Sequence, residues 1–148
     1  MAKQKFAGKF KSLDIVTAEA AFEAYGKNLD EVFANSALAI AETMTNSAKI
    51  KPKIKKSIKL VNSDLNTLLV DFLNEIVRLT DTDKLFFSKF KIKITDAGGT
   101  WILQAELAGE KINPKRHELR ADIKAVTWHM FELKKGRTGW TARVVLDV

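Results

Sequence analysis

The spacing of apolar residues along the chain predicts two helices. Between Asn28 and Met44 apolar residues recur at intervals of three and four, which places them on one side of a helix. Asn28 is a good N-cap residue, and Glu31 follows three positions later, a combination typical of a helix start. The second helix is predicted to begin with Ser63 as its N-cap. Its wide apolar face consists of Leu65, Leu68, Leu69, Phe72, Leu73 and Ile76.

Most of the other segments alternate apolar and polar residues, the pattern of strands with one buried face. The predicted strands cover residues 18–25, 86–94, 101–107, 123–133 and 140–147, and polar turns at 96–99 and 134–137 join hairpins. The chain has no repeat and no long linker. We therefore expect a single α+β domain over residues 1–148, with two main helices packed on one face of a mainly antiparallel sheet.

Composition excludes several classes of protein. The 148 residues include no cysteine, which excludes thiol chemistry and cysteine-ligated metals and fits a reducing compartment. No apolar run is long enough to span a membrane, and the first ten residues lack the apolar core of a signal peptide. No phosphate-binding glycine loop or nucleophile elbow supports an enzyme. The expected location is the cytoplasm, without a membrane partner.

The charge favours a polyanionic partner. Lysine and arginine number 25 against 18 acids, which gives a net charge of +7 and attracts polyanions such as RNA. A lysine run that alternates with isoleucines could contact an RNA backbone or protect a sheet edge from aggregation. Edge protection is the favoured interpretation, because no aromatic residues are interleaved for base stacking. The run contains Lys49, Lys51, Lys53, Lys55, Lys56 and Lys59.

A pair of carboxylates at the end of the sequence suggests a cation site. Asp147 is followed by the carboxylate of Val148, and hard divalent ions such as calcium or magnesium prefer several oxygen ligands. A third acid would have to come from a neighbouring strand, and Glu19 or Glu23 is the candidate. The alternative is a solvated surface aspartate that binds nothing.

Four separated segments together resemble motifs of the archease family, and the similarity covers nearly the whole chain. The amino-terminal motif is matched by Thr17-Ala18-Glu19 and the strand that ends at Gly26, and the second-helix signature by residues 68–75. Gly109-Glu110 and His117 precede residues 123–129, which resemble the most recognisable strand of the family. Residues 144–148 resemble its carboxy-terminal signature.

This resemblance implies a non-catalytic, metal-binding activator of the GTP-dependent tRNA-splicing RNA ligase. Such a protein promotes guanylylation of the ligase and its multiple turnover in tRNA splicing and RNA repair. Glu19 and Asp147 would bind the metal, with help from the carboxylate of Val148. The sequence departs from the family pattern at Ile15 and Val16, where the family has an acid and a histidine, and at Glu19, which replaces an aspartate. The alternative function is a basic RNA-binding or chaperone-like module that acts on tRNA without a metal-dependent role.

Three further residues are candidates to face the ligase or support the site. Lys124 and His129 fall on opposite faces of their predicted strand, and Lys124 is the favoured one. His129 shares with Thr127 a face that we expect to be largely buried. His117 lies in a polar loop, where it is either exposed to solvent or functional. The three tryptophans are expected to pack in the core or on the sheet surface.

Overall fold

A computed structural model describes residues 8–13 and 19–148 of the chain. The described residues form two helices, α1 (Leu29–Met44) and α2 (Leu65–Asp83), and a short 3-10 helix at Ser47–Lys49. They also form seven strands, which are β1 (Phe10–Leu13), β2 (Glu19–Gly26), β3 (Ile54–Asn62), β4 (Leu85–Asp96), β5 (Trp101–Lys111), β6 (Ala125–Gly136) and β7 (Gly139–Asp147). No helix among these residues is long and apolar enough to cross a membrane.

Both predicted helices are present. The N-cap of α1 is Asn28, whose Oδ1 accepts from the backbone N–H of Glu31 at 2.9 Å, as the sequence pattern predicts. The N-cap of α2 is Asp64 and not Ser63, because the Asp64 carboxylate accepts from both the backbone N–H and the hydroxyl of Thr67. A carboxylate at this position also complements the positive end of the helix dipole.

The α+β class is confirmed, but the strands divide between two antiparallel sheets. One sheet has four strands in the order β1-β2-β7-β6, and the other has three in the order β3-β5-β4. Helix α1 contacts strands of both sheets, as does α2. Since α1 is buried on nearly every side, a single sheet on one face could not cover it.

One apolar core joins the helices to the inner faces of both sheets. In the four-stranded sheet, Phe22 and Ala24 of β2 and Val144 and Leu146 of β7 belong to this core. Side chains alternate between the two faces of a strand. Odd-numbered residues of β2 and β7 therefore lie on the outer face of that sheet, which points away from the helices.

A large bulge interrupts the pairing of β6 with β7. Thr127 pairs with Val145 and the next pair is Glu132 with Arg143, so four residues of β6 face Val144 alone. β6 starts at Ala125, and the side chain of Val126 belongs to the core. The inserted residues then shift the alternation of inner and outer side chains along the rest of the strand. The expectation that Thr127 and His129 share a buried face is wrong, because Thr127 is half-buried and His129 is exposed.

Candidate functional site

Glu19 and Asp147 come together on the outer face of the four-stranded sheet. Glu19 begins β2, Asp147 ends β7, and the two residues are direct partners in the antiparallel register. Partners of this kind have Cα atoms about 4.5–5.5 Å apart and side chains on the same face. Asp147 is exposed and Glu19 is half-buried. Two carboxylates from opposite ends of the sequence thus lie side by side at one end of the sheet.

This pair of carboxylates has no compensating cation in the described part of the chain. Neither side chain forms an ion pair with a lysine, arginine or histidine of residues 8–13 and 19–148. Like charges directly opposite on antiparallel strands repel each other. Over the same residues, no cluster of three or more potential metal ligands is found. The departures at Ile15 and Val16 lie outside the described residues.

Glu23, the other candidate third acid, is not at this site. It lies four residues farther along β2, opposite Arg143. It is 3.7 Å from the Lys11 ammonium, and it accepts from the Tyr25 hydroxyl at 2.9 Å. Burial, together with the hydrogen bond to this carboxylate, raises the pKa of Tyr25 to about 12. Glu23 therefore has partners of its own.

Val148 and Lys124 border the pair of carboxylates in different ways. The side chain of Val148 packs against the core and so turns away from the outer face. The backbone N–H of Lys124 donates to the carbonyl of Asp147 at 2.8 Å. The exposed Lys124 lines a cavity of about 430 Å³ next to α2, together with Asn74, Arg78, Asp81 and Asp122. Lys124 is thus adjacent to Asp147 through the backbone.

The bulge exposes apolar side chains near the carboxylates. Trp128 is 54% exposed and Met130 is 51% exposed, although both are large apolar residues. The Trp128 ring is held edge-on to Phe131, with centroids 5.1 Å apart. Met130 has a positive φ of 53°, a strained conformation for a residue other than glycine. The bulge faces Val144, about 10 Å along β7 from Asp147.

His117 is buried, which makes the solvent-exposed alternative wrong. Its side chain is 1% exposed, and its Nε2 lies 3.2 Å from the Glu110 carboxylate. Its Nδ1 accepts from the backbone N–H of Asn113 at 2.9 Å, which leaves Nε2 to face Glu110. His117 belongs with the three-stranded sheet, where it packs edge-on against Phe86. His117 therefore contacts β4 through Phe86 and β5 through Glu110.

Glu110 is the centre of this buried polar cluster. The Arg116 guanidinium donates to both carboxylate oxygens, and the backbone N–H of Lys51 donates at 2.7 Å. These contacts, the Arg116 hydrogen bond foremost, lower the pKa of Glu110 to about 2 despite its burial. The sequence motif contained Glu110 and His117, but nothing in it showed that they would meet.

A second buried carboxylate, which the sequence did not single out, fixes the same loop to α1. Glu42 accepts from the Arg120 guanidinium at 2.8 Å, and Arg120 also donates to the Glu42 carbonyl. Together, the Glu110 and Glu42 clusters hold the segment between β5 and β6. That segment leads into Lys124 and the start of β6, which pairs with the end of β7.

The comparisons with known proteins agree with one another. The model of the archease protein family matches residues 10–148. Protein archease of Methanosarcina mazei is 38% identical over 133 residues, which are 89% of this chain and 91% of that protein. The solution structure of protein 1598 of Methanobacterium thermoautotrophicum has a TM-score of 0.83 at 38% identity, covering 95% of this chain and 99% of the other.

A more distant structure shares the fold. The crystal structure of an archease from Thermotoga maritima, described as a possible chaperone, has a TM-score of 0.57 at 18% identity. That match covers 93% of this chain and 97% of the other. Since the family model and the M. mazei relative both span almost the whole sequence, this chain belongs to the archease family.

Proposed function

We propose that this protein is a non-catalytic activator of the GTP-dependent tRNA-splicing RNA ligase. In this role it promotes guanylylation of the ligase and its multiple turnover in tRNA splicing and RNA repair. Membership of the archease family supports the proposal. The structural observation that carries it is the side-by-side placement of Glu19 and Asp147, without a cation partner among the described residues. The cytoplasmic location remains a prediction.

The two carboxylates fit a hard divalent cation, calcium or magnesium. Such ions bind carboxylate oxygens and offset the repulsion between two opposed acids. They take six to eight oxygen ligands, more than Glu19 and Asp147 supply, and we assign the remainder to water and to the ligase with its nucleotide. When bound, the ion would supply positive charge beside the nucleotide phosphates. The ligand role of the Val148 carboxylate remains a prediction.

The exposed bulge is suited to anchor a protein partner near these carboxylates. Aromatic residues and methionine are enriched in protein interfaces, where a few buried anchors carry most of the binding energy. Trp128 and Met130 are large, exposed and about 10 Å along the sheet from Asp147. We place the ligase contact there, with His129 inside the bulge, and the ligase-facing role of Lys124 remains a prediction.

A ligation assay under multiple turnover tests the proposal. A limiting amount of the cognate ligase is incubated with GTP and with RNA that has a 3′-phosphate and a 5′-hydroxyl end. The reaction also contains the wild type or Asp147→Asn. The control is Asp96→Asn, which removes an exposed strand-end acid from the other sheet. The wild type and the control should raise the number of ligations per ligase molecule above one, and Asp147→Asn should not. Equal activation by all three proteins would contradict the metal-dependent role, and no activation by the wild type would contradict the function.

A further inference from the structure

The outer face of the three-stranded sheet carries a strongly basic surface. The inner face of this sheet packs on the helices through residues such as Ile58, Ile92 and Leu103. The register places the alternate residues of β3, β5 and β4 together on the outer face. We call five of these side chains the lysine face; they are Lys55, Lys59, Lys89, Lys91 and Lys93.

The lysines form two rows, one on each edge strand. Lys55 lies across the sheet from Lys89 with Ala108 between them, and Lys59 lies across from Lys93 with Gln104 between them. Since neighbouring strands are spaced by about 4.8 Å, the rows are about 10 Å apart. Between them runs an open trough of about 710 Å³, whose polar lining includes Ser57 and Gln104.

The positive charge of this surface is largely uncompensated. Among the described residues, Lys55 alone of the five forms an ion pair, with Glu106 at 3.7 Å. The other acid at the trough is Asp30, whose carboxylate accepts from the backbone N–H of Ile94. Five ammonium groups therefore face two carboxylates. A cation-lined groove of this kind attracts a polyanion.

We propose that the lysine face binds the phosphate backbone of single-stranded RNA. Both rows lie on edge strands, where lysines also protect a sheet from aggregation, but two rows that face each other across a groove can follow a nucleic-acid backbone without reading its sequence. Protein interfaces, in contrast, are depleted of lysine, and this face carries five lysines. Ser57 and Gln104 add a hydroxyl and an amide to the lining of the trough, and such groups can hydrogen-bond to the ribose 2′-hydroxyl that distinguishes RNA from DNA.

This site is separate from the proposed ligase contact and does not depend on it. The carboxylate pair and the bulge belong to the four-stranded sheet, and the lysine face belongs to the other sheet. The lysine run that the sequence displays contributes only Lys55 and Lys59. Lys56 lies on the other face and is 3.3 Å from the Asp83 carboxylate. Three of the five lysines come from β4.

The test is fluorescence anisotropy with a labelled, unstructured RNA of about 20 nucleotides and no ligase present. The variant is Lys89→Gln/Lys91→Gln/Lys93→Gln. The control is Lys27→Gln/Lys115→Gln/Lys135→Gln, which removes the same charge from exposed positions elsewhere. The first variant should weaken binding about tenfold or more at low salt and reduce the slope of log K against log salt by about 2. The control should change the affinity by less than about twofold.

Three results would overturn the proposal. One is equal weakening by the two variants, which would mean that net charge alone attracts RNA. Another is equal or tighter binding of a DNA strand of the same sequence, which would remove the preference for RNA. The third is binding to vesicles that contain phosphatidylserine but not to RNA, which would make a membrane surface the ligand.

A second measurement does not require the variant to fold. The wild type is acetylated at its lysines with and without the RNA, and the modified positions are read by mass spectrometry. RNA should protect the lysine face and leave Lys27, Lys115 and Lys135 as reactive as before. Uniform protection, or protection of the three control lysines alone, would overturn the proposal.

Discussion

Glu19 lies directly opposite Asp147 on neighbouring antiparallel strands, and both side chains are on the outer face of the four-stranded sheet. The repulsion between them is the cost of keeping two acids together at the end of a sheet. A cation that binds between them would offset this cost. Three of the predictions below concern this site and the bulge beside it, and the other three concern the polar cluster and the tight packing that hold the fold together.

Asp147→Asn should stabilise the protein in the absence of divalent cations. Removing one of two opposed charges relieves repulsion of about 0.5 kcal/mol. The measurement is the midpoint of urea unfolding in EDTA, with Asp96→Asn as the control. In excess calcium or magnesium the order should reverse, because the wild type gains stability from the bound ion. A wild type that is as stable as the variant in EDTA would contradict the repulsion.

Glu110→Gln should destabilise the fold by about 2 kcal/mol, because it removes the buried charge paired with Arg116 and replaces one acceptor oxygen with an NH2 group that faces a donor. Glu106→Gln is the control, since Glu106 is exposed on the same strand and should change stability by less than about 0.5 kcal/mol. Urea unfolding at neutral pH measures both. Equal effects would show that the buried cluster contributes no more than a surface charge.

The same carboxylate should make stability depend on acid pH. Arg116 foremost lowers the pKa of Glu110 from 4.5 to about 2 in the folded protein. The stabilisation is therefore complete above pH 4.5 and is lost as the pH falls towards 2. Urea midpoints measured from pH 6 to pH 2 should fall less steeply for Glu110→Gln than for the wild type. Parallel curves would contradict this assignment.

Gly109→Ala should be strongly destabilising. A Cβ atom at this position would lie 1.8 Å from the carbonyl oxygen of Phe86, where β4 has its irregularity. Because that neighbour is backbone, the strands must separate, at a cost of about 3 kcal/mol. Gly136→Ala is the matched control, since its nearest neighbour would be 3.7 Å away. Thermal unfolding should show a large loss for the first variant and little for the second.

Trp128→Ala should impair activation of the ligase without unfolding the protein. The side chain is exposed, so its removal should change the free energy of unfolding by less than about 1 kcal/mol. Val61→Ala is the control, because Val61 is 56% exposed on the other sheet. The multiple-turnover ligation assay should show a loss for Trp128→Ala alone. Full activation by this variant would exclude the bulge as the docking anchor.

The sequence predicted both helices and five of the seven described strands, because these elements are local patterns; β1 and β3 were not predicted. The run from Asn28 to Met44 contains its own cap and periodicity, and α1 follows it closely. An alternating pattern predicts which face of a strand is buried but not which strand pairs with it, so the division into two sheets could not be predicted. The bulge at Trp128 was missed for a related reason: its residues continue the alternating pattern, and only the register with β7 shows that they are extra.

The candidate site was only partly predictable. Asp147, with Glu19 or Glu23 as its partner, was proposed from the residues, and the family resemblance favoured Glu19. Their meeting depends on pairing between the two ends of the sequence, which no local pattern encodes. His117 was assigned to a polar loop from its neighbours. Its burial follows from Glu110, a partner on β5 that the loop composition does not reveal. The lysines of β4 were visible as an alternating run, but their position beside those of β3 requires the sheet order.

Isothermal titration calorimetry of the purified protein with calcium and, separately, with magnesium tests the central claim most directly. The wild type and Asp96→Asn should bind one ion per chain with the same affinity, whereas Glu19→Gln and Asp147→Asn should each lose most of the binding heat. Absence of binding by the wild type, or unchanged binding by both site variants, would show that these two carboxylates do not share a cation.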